Sequence, residues 1–180
     1  MESVFSLKKK ILKSSCLFVL LICWSALVKA QDEPLKKAIS LGAELGIPNA
    51  SVYSIGVGIS GKAEFPVSSK VAITATAAYS AFFYKSNLFN NSKTLTSARF
   101  IPLKAGVKYY LNPGVYFEGE LGTAIETNYL KQDLFAFSLG PGFIIPIKGK
   151  YGIDFGLRYE KWSNHQVQQT AIRFAHRFGW

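Results

Sequence analysis

Tyr151-Gly-Ile-Asp-Phe-Gly-Leu-Arg-Tyr-Glu160 is the stretch that decides how this chain folds. Its odd positions carry Tyr151, Ile153, Phe155, Leu157 and Tyr159. Its even positions carry Gly152, Asp154, Gly156, Arg158 and Glu160. Side chains on a strand point alternately to opposite faces, so this segment is a strand with one greasy and one ionic face. Helical spacing would scatter both kinds around an axis.

The same period of two recurs on either side. Tyr53, Ile55, Val57, Ile59 and Phe65 oppose Ser54, Gly56, Gly58, Ser60, Lys62 and Glu64. Val115, Phe117, Leu121 and Ile125 oppose Tyr116, Glu118, Glu120, Gly122, Glu126 and Asn128. Eight stretches are predicted: 37–47, 51–65, 70–84, 98–111, 115–130, 134–147, 150–162 and 167–180. Pro66 to Lys70, Asn112-Pro-Gly114 and Lys148-Gly-Lys150 are rich in turn formers and predict tight connections. Between them fall looser connections near 48–50, 85–96, 131–133 and 163–166. Tight turns at one end and longer loops at the other predict an up-and-down antiparallel meander, with an even strand count returning both termini to the turn end.

Alternation alone does not say which face is outside. The stretches exceed ten residues each, whereas strands of soluble sheets average about 5–6 and crossing a membrane at a tilt takes about 9–11. Bulky Ile, Leu, Val, Phe and Tyr on the apolar face would overfill an eight-stranded barrel, whose interior holds little more than its own side chains. The other face carries Gly42, Gly46, Gly56, Gly58, Gly106, Gly122, Gly140, Gly142, Gly152 and Gly156. These leave gaps for long ionic side chains. The expected fold is therefore all-β: an eight-stranded, antiparallel, transmembrane β-barrel with its apolar face toward lipid.

The same parity fills the lumen with charge. Lys62, Lys104, Lys108, Arg158, Arg173 and Arg177 face Glu44, Glu64, Glu118, Glu120, Glu126, Asp154 and Glu160. Buried charges must be paired or they destabilise, so the expectation is a salt-bridged plug and no diffusion pore. Glu118, Glu120 and Glu126 are expected to bridge to Lys104, Lys108 and Arg173 rather than to act as an acid–base pair.

The first thirty residues read differently. Lys8 to Lys13 precede an apolar run of 13 residues, Cys16 to Val28, followed by Val28-Lys29-Ala30. That is the layout of a cleaved signal peptide over 1–30, with Gln31 next; 13 residues fall short of the roughly 20 that span a bilayer. A lipoprotein reading at Cys23 fails because Ile22 stands where a small residue is needed. Residues 31–36 form a short periplasmic tail and 37–180 the barrel domain. Cys16 and Cys23 both fall in the removed segment, which leaves the remainder without thiol chemistry. The formal net charge of +10 drops to +6 once residues 1–30 are set aside, and the remaining cations are scattered. Nucleic acid is not an expected partner.

No metal-ligand spacing, phosphate loop or Ser/His/Asp set occurs, so no catalytic, metal or cofactor site is predicted. His165, beside Ser163 and Asn164, lacks the spacing of a barrel hydrolase and reads as a loop residue; His176 reads as interfacial. Lys85, Lys93, Arg99, Lys131 and Lys161 gather toward the looped end and are candidate contacts for lipopolysaccharide phosphates. Phe174, Phe178 and Trp180 alternate at the end of the last stretch and match the signal read by the outer-membrane assembly machinery.

Ser40-Leu-Gly-Ala-Glu-Leu-Gly-Ile-Pro48, Tyr53-Ser-Ile-Gly-Val-Gly58 and Glu64-Phe-Pro-Val67 together resemble the porin-like outer-membrane β-barrel family. So do Phe100-Ile-Pro-Leu-Lys-Ala-Gly-Val-Lys-Tyr-Tyr110, Asn112-Pro-Gly114 and Glu118-Gly-Glu-Leu-Gly122. The resemblance implies a small closed barrel of the OmpA/OmpX type and carries no catalytic signature; that family usually ends in Phe, where this chain has Trp180. The expected protein is a monomer in the bacterial outer membrane, in contact with lipid and lipopolysaccharide, with a structural, loop-presenting role. The rival expectations are a barrel enzyme acting on lipid A or phospholipid, and a soluble lipocalin-like carrier.

Overall fold

A computed structural model describes residues 35–49, 52–85, 97–112, 114–147, 149–163 and 167–179. The expected signal segment 1–30 and most of the tail lie outside these residues. So do Lys93, Asn164, His165 and Trp180.

Eight strands form one closed antiparallel barrel in which each pairs with its sequence neighbours and β1 closes on β8. They are β1 (Ala38–Pro48), β2 (Tyr53–Pro66), β3 (Val71–Tyr84), β4 (Ala98–Asn112), β5 (Val115–Glu126), β6 (Asp133–Pro146), β7 (Tyr151–Trp162) and β8 (Gln168–Gly179). Closure leaves no unpaired sheet edge. The tight connections form as their residues dictate. Asn112 Oδ1 accepts from the amides of Gly114 and Val115 at 3.1 and 2.8 Å. Ser68 Oγ accepts from Val71 N at 3.1 Å. Gly149 supplies the positive φ of 62° between β6 and β7.

Two expected details are corrected. β5 ends at Glu126, not residue 130. Beyond it the Asn128 side chain accepts from Arg99 N at 3.0 Å and donates to Ser97 O at 2.8 Å, a side-chain substitute for ladder bonds that closes the loop. In β2, Tyr53 faces inward rather than sharing the face of Ile55, and Ser54 faces out. The register slips between Tyr53 and Ile55, and a bulge of that kind inverts parity on one side of it.

The apolar face is outside. Ile59 is 67% exposed, Leu41 59%, Phe135 58% and Leu121 54%, and comparable residues occur on all eight strands. Inside lie Lys108, Glu120, Asp154 and Glu160, none more than 2% exposed. This is the inverse of a water-soluble barrel.

Candidate functional site

Twelve inward charges form one connected chain of ion pairs. Glu118 meets Lys62 at 2.5 Å, and Lys62 reaches Glu120 at 3.1 Å. Lys104 links Glu120 (3.2 Å) to Glu160 (3.0 Å). Arg158 links Glu160 (3.4 Å) to Glu44 (2.7 Å). Arg173 joins Glu44 to Asp154, both at 3.7 Å. Lys108 joins Asp154 (3.4 Å) to Glu64 (3.0 Å), where Arg177 ends the chain at 2.9 Å. Partners come from strands across the lumen as well as from neighbours: Lys62 and Glu118 lie on β2 and β5, Arg158 and Glu44 on β7 and β1. Only barrel closure brings them together.

Inward hydroxyls add to the shells, while Glu118 Oε1 and Arg177 Nε are buried without a hydrogen-bond partner among the described residues. Thr76 and Ser138 donate to Glu120 at 2.6 and 2.9 Å. Tyr116 donates to Asp154 at 2.5 Å, and Tyr110 donates to Glu64. Arg173 donates to Ser60 and Ser40. Hydrogen bonds of this kind let ions persist away from water.

The pairing differs in detail from expectation. Lys104 does meet Glu120, but Lys108 and Arg173 serve Glu64, Asp154 and Glu44, while Lys62 takes Glu118. Glu126 stands apart from the chain, because its position near the loop end of β5 places it beyond the layer of cations. Its Oε2 is buried without a hydrogen-bond partner among the described residues.

Nor is the lumen polar throughout. At the loop end it is closed by an aromatic plug. Trp162 packs edge-on against Phe82 and Phe100, with ring centroids 5.5 and 4.9 Å away. Tyr53 meets Phe82 and Tyr84 at tilted angles, with ring centroids 5.3 and 5.0 Å away, and Leu134 and Val167 belong to the same buried cluster. The glycines make room for rings as well as for ions: a Cβ on Gly56 would sit 2.5 Å from the Phe82 ring, and one on Gly142 would overlap Tyr116. At the turn end, Tyr110, Tyr116 and Ala72 form a floor against which Leu35 and Ile144 pack. Parity counted from Thr74, Thr76 and Ser80 puts Phe82 inside, and from Lys104 it does the same for Phe100. The plug was thus readable, apart from Tyr53. A cavity of about 20 Å³ lies between Lys62, Glu118, Glu120, Arg158 and Arg173, which is room for about one water molecule.

Outside, charge is sorted. Among the described residues every acid faces the lumen except Asp133, which is exposed. Lys85, Arg99, Lys131 and Lys161 are exposed at the loop end, and Lys36, Lys37, Lys70 and Lys150 at the turn end. Ser163 Oγ accepts from Phe135 N at 3.0 Å, a structural task at the start of β6. Phe174 and His176 are exposed on the outer face and Phe178 points the same way, 38% exposed. No group of three metal-ligating side chains occurs among the described residues.

A closed antiparallel sheet, greasy outside and ionic inside, defines the class: a transmembrane β-barrel. Solved structures with this fold include Ail, the attachment invasion locus protein of Yersinia pestis (TM-score 0.55, 16% identity, 81% of this chain and 100% of that one). Ail's backbone structure in a phospholipid nanodisc gives a TM-score of 0.53 at 15% identity, over 79% of this chain and 99% of that one. A de novo designed transmembrane barrel gives 0.50 at 15%, over 81% and 97%. At such identities the likeness is one of fold. No family model matches the sequence, and a search of curated proteins finds no match.

Proposed function

We propose that this protein resides in the bacterial outer membrane as a structural barrel that presents its loops outside and conducts no solutes. One observation carries the reading: the lumen is filled along its length by the tyrosine floor, the connected ion chain and the aromatic plug. Eight strands enclose no more than side chains, and open channels need about 16 strands. The likeness to Ail and to a designed membrane barrel supports the location, as does the outward apolar belt. Planar bilayers containing the refolded mature protein should show no single-channel steps; steady unitary currents would refute the closed lumen. Recovery from cells in the soluble periplasm without detergent would refute the membrane location and favour the carrier.

The reading includes no catalysis. The lumen acids other than Glu126 are engaged with cations, and Ser163 is committed to β6. Lipid A and phospholipid profiles from cells with and without the gene should therefore match, and an altered acyl pattern would establish the enzyme instead. The loop-end cations Lys85, Arg99, Lys131 and Lys161, together with Lys93, are proposed to contact lipopolysaccharide phosphates. Replacing all five with Gln should raise the detergent and bile sensitivity of intact cells, and unchanged sensitivity would refute the contact. Phe174, Phe178 and Trp180 are proposed to guide insertion by the assembly machinery.

A further inference from the structure

The wall of the barrel is interrupted where β6 faces β7. The ladder pairs Leu139 with Tyr159 and Gly142 with Gly156, but skips the two pairs between them, Gly140 with Arg158 and Pro141 with Leu157. Proline has no N–H, so Pro141 cannot donate to Leu157 O across the strands. Pro102 interrupts the β3–β4 ladder in the same way, between Ala77 and Ser80. At Pro141 the break meets the cavity of about 20 Å³ in the ion layer, which Pro141 and Leu157 help to line. Both side chains are exposed on the outer face, so these two residues reach the cavity through their backbone. The Leu157 carbonyl leans inward: a Cβ on Gly140, directed into the lumen, would overlap its oxygen. A second acceptor belongs to the same place. Glu118 lines the cavity, and its Oε1 is buried without a hydrogen-bond partner among the described residues.

We propose that this break is a water-bridged joint. One buried water takes the place of the missing proline N–H, donating to Leu157 O and to the Glu118 carboxylate and accepting from Lys62. The Lys62 ammonium bonds Glu118 at 2.5 Å and lies 3.1 Å from Glu120, which leaves it a third proton to give. Chemistry selects water over an ion. A cation in the cavity would face Lys62, Arg158 and Arg173, and a halide has no proton for two acceptors. The volume admits about one water, and a buried water needs about two to four polar partners. The joint thereby ties the ladder of the wall to the ion chain inside it.

Gly156 provides the test. A Cβ there would enter the cavity, meeting Tyr116 Oη at 3.3 Å and Arg173 Cβ at 3.9 Å, so Gly156→Ala displaces the water. In guanidinium unfolding of the refolded mature protein in phosphatidylcholine vesicles, loss of the bonds to two buried acceptors should lower the folded-to-unfolded ratio about tenfold. In a Pro141→Ala background the new N–H serves Leu157 O, and Gly156→Ala should then cost only about threefold. A dry cavity gives the opposite sign, because a methyl that fills a void in a strand stabilises. An unchanged or raised ratio with Gly156→Ala therefore overturns the joint. An equal loss in both backgrounds overturns it as well, since that loss is strain against Tyr116. Crystals of the refolded protein supply a second measurement. Density for one water within hydrogen-bond distance of Leu157 O and the Glu118 carboxylate is expected; an empty cavity, or an anomalous peak there after a bromide soak, overturns the joint.

Discussion

Lys104 is the middle link of the ion chain, and Lys104→Met tests whether that chain holds the barrel together. The side chain is 1% exposed, with Nζ 3.2 Å from Glu120 Oε2 and 3.0 Å from Glu160 Oε1. Methionine nearly preserves its volume and removes the charge. Removing one partner of a buried pair costs about 3–5 kcal/mol, mostly because the other charge is left uncompensated. Here Glu120 keeps Lys62 at 3.1 Å and Glu160 keeps Arg158 at 3.4 Å, so the expected loss is at the lower end, about 3 kcal/mol. Adding Glu120→Gln removes the second charge while leaving Lys62 its 2.5 Å contact with Glu118, and the amide can still serve Thr76 and Ser138. The double variant should recover at least half of the loss. Guanidinium unfolding in phosphatidylcholine vesicles, followed by the fluorescence of buried Trp162, measures both values. A single variant within about 0.5 kcal/mol of the parent, or a double variant worse than the single, would refute the reasoning.

The same unfolding assay checks four further expectations. Val57→Arg or Leu121→Arg places a cation on the lipid-facing wall and should cost about 2–4 kcal/mol near the midplane; unaffected stability would mean that the faces are reversed. Trp162→Ala hollows the plug and should cost about 3–5 kcal/mol, followed in this variant by far-UV circular dichroism because the substitution removes the fluorescent probe. Gly142→Val drives a branched side chain into the Tyr116 ring and should cost about 1–3 kcal/mol, accompanied by a change in tyrosine near-UV dichroism. Glu126→Gln removes a buried charge outside the ion chain and should leave stability equal or higher; a loss above about 1 kcal/mol would show that the carboxylate has a compensating partner.

The strand count, the strand order and the outward face were all legible in the sequence, because they depend on a period of two that each segment carries by itself. Tyr151 to Glu160 states both faces of β7 without reference to any other strand. The inward set of 13 charges followed from the same parity, as did the near balance of their signs. Turn positions at Asn112 and Ser68 were readable too, since their side chains satisfy backbone amides only a few residues away.

What the sequence could not state is who meets whom across the lumen. Lys62 was free to pair with any inward acid at its depth, and only closure of β1 on β8 together with strand register sets Glu118 at 2.5 Å and leaves Glu126 outside the cation layer. The bulge that turns Tyr53 inward is likewise a tertiary outcome, fitted to the plug rather than to local propensity. Alternation is a property of one strand and survives in a list of residues. Pairing depth and ring packing depend on distances across a closed cylinder, and these exist only once all eight strands are in place.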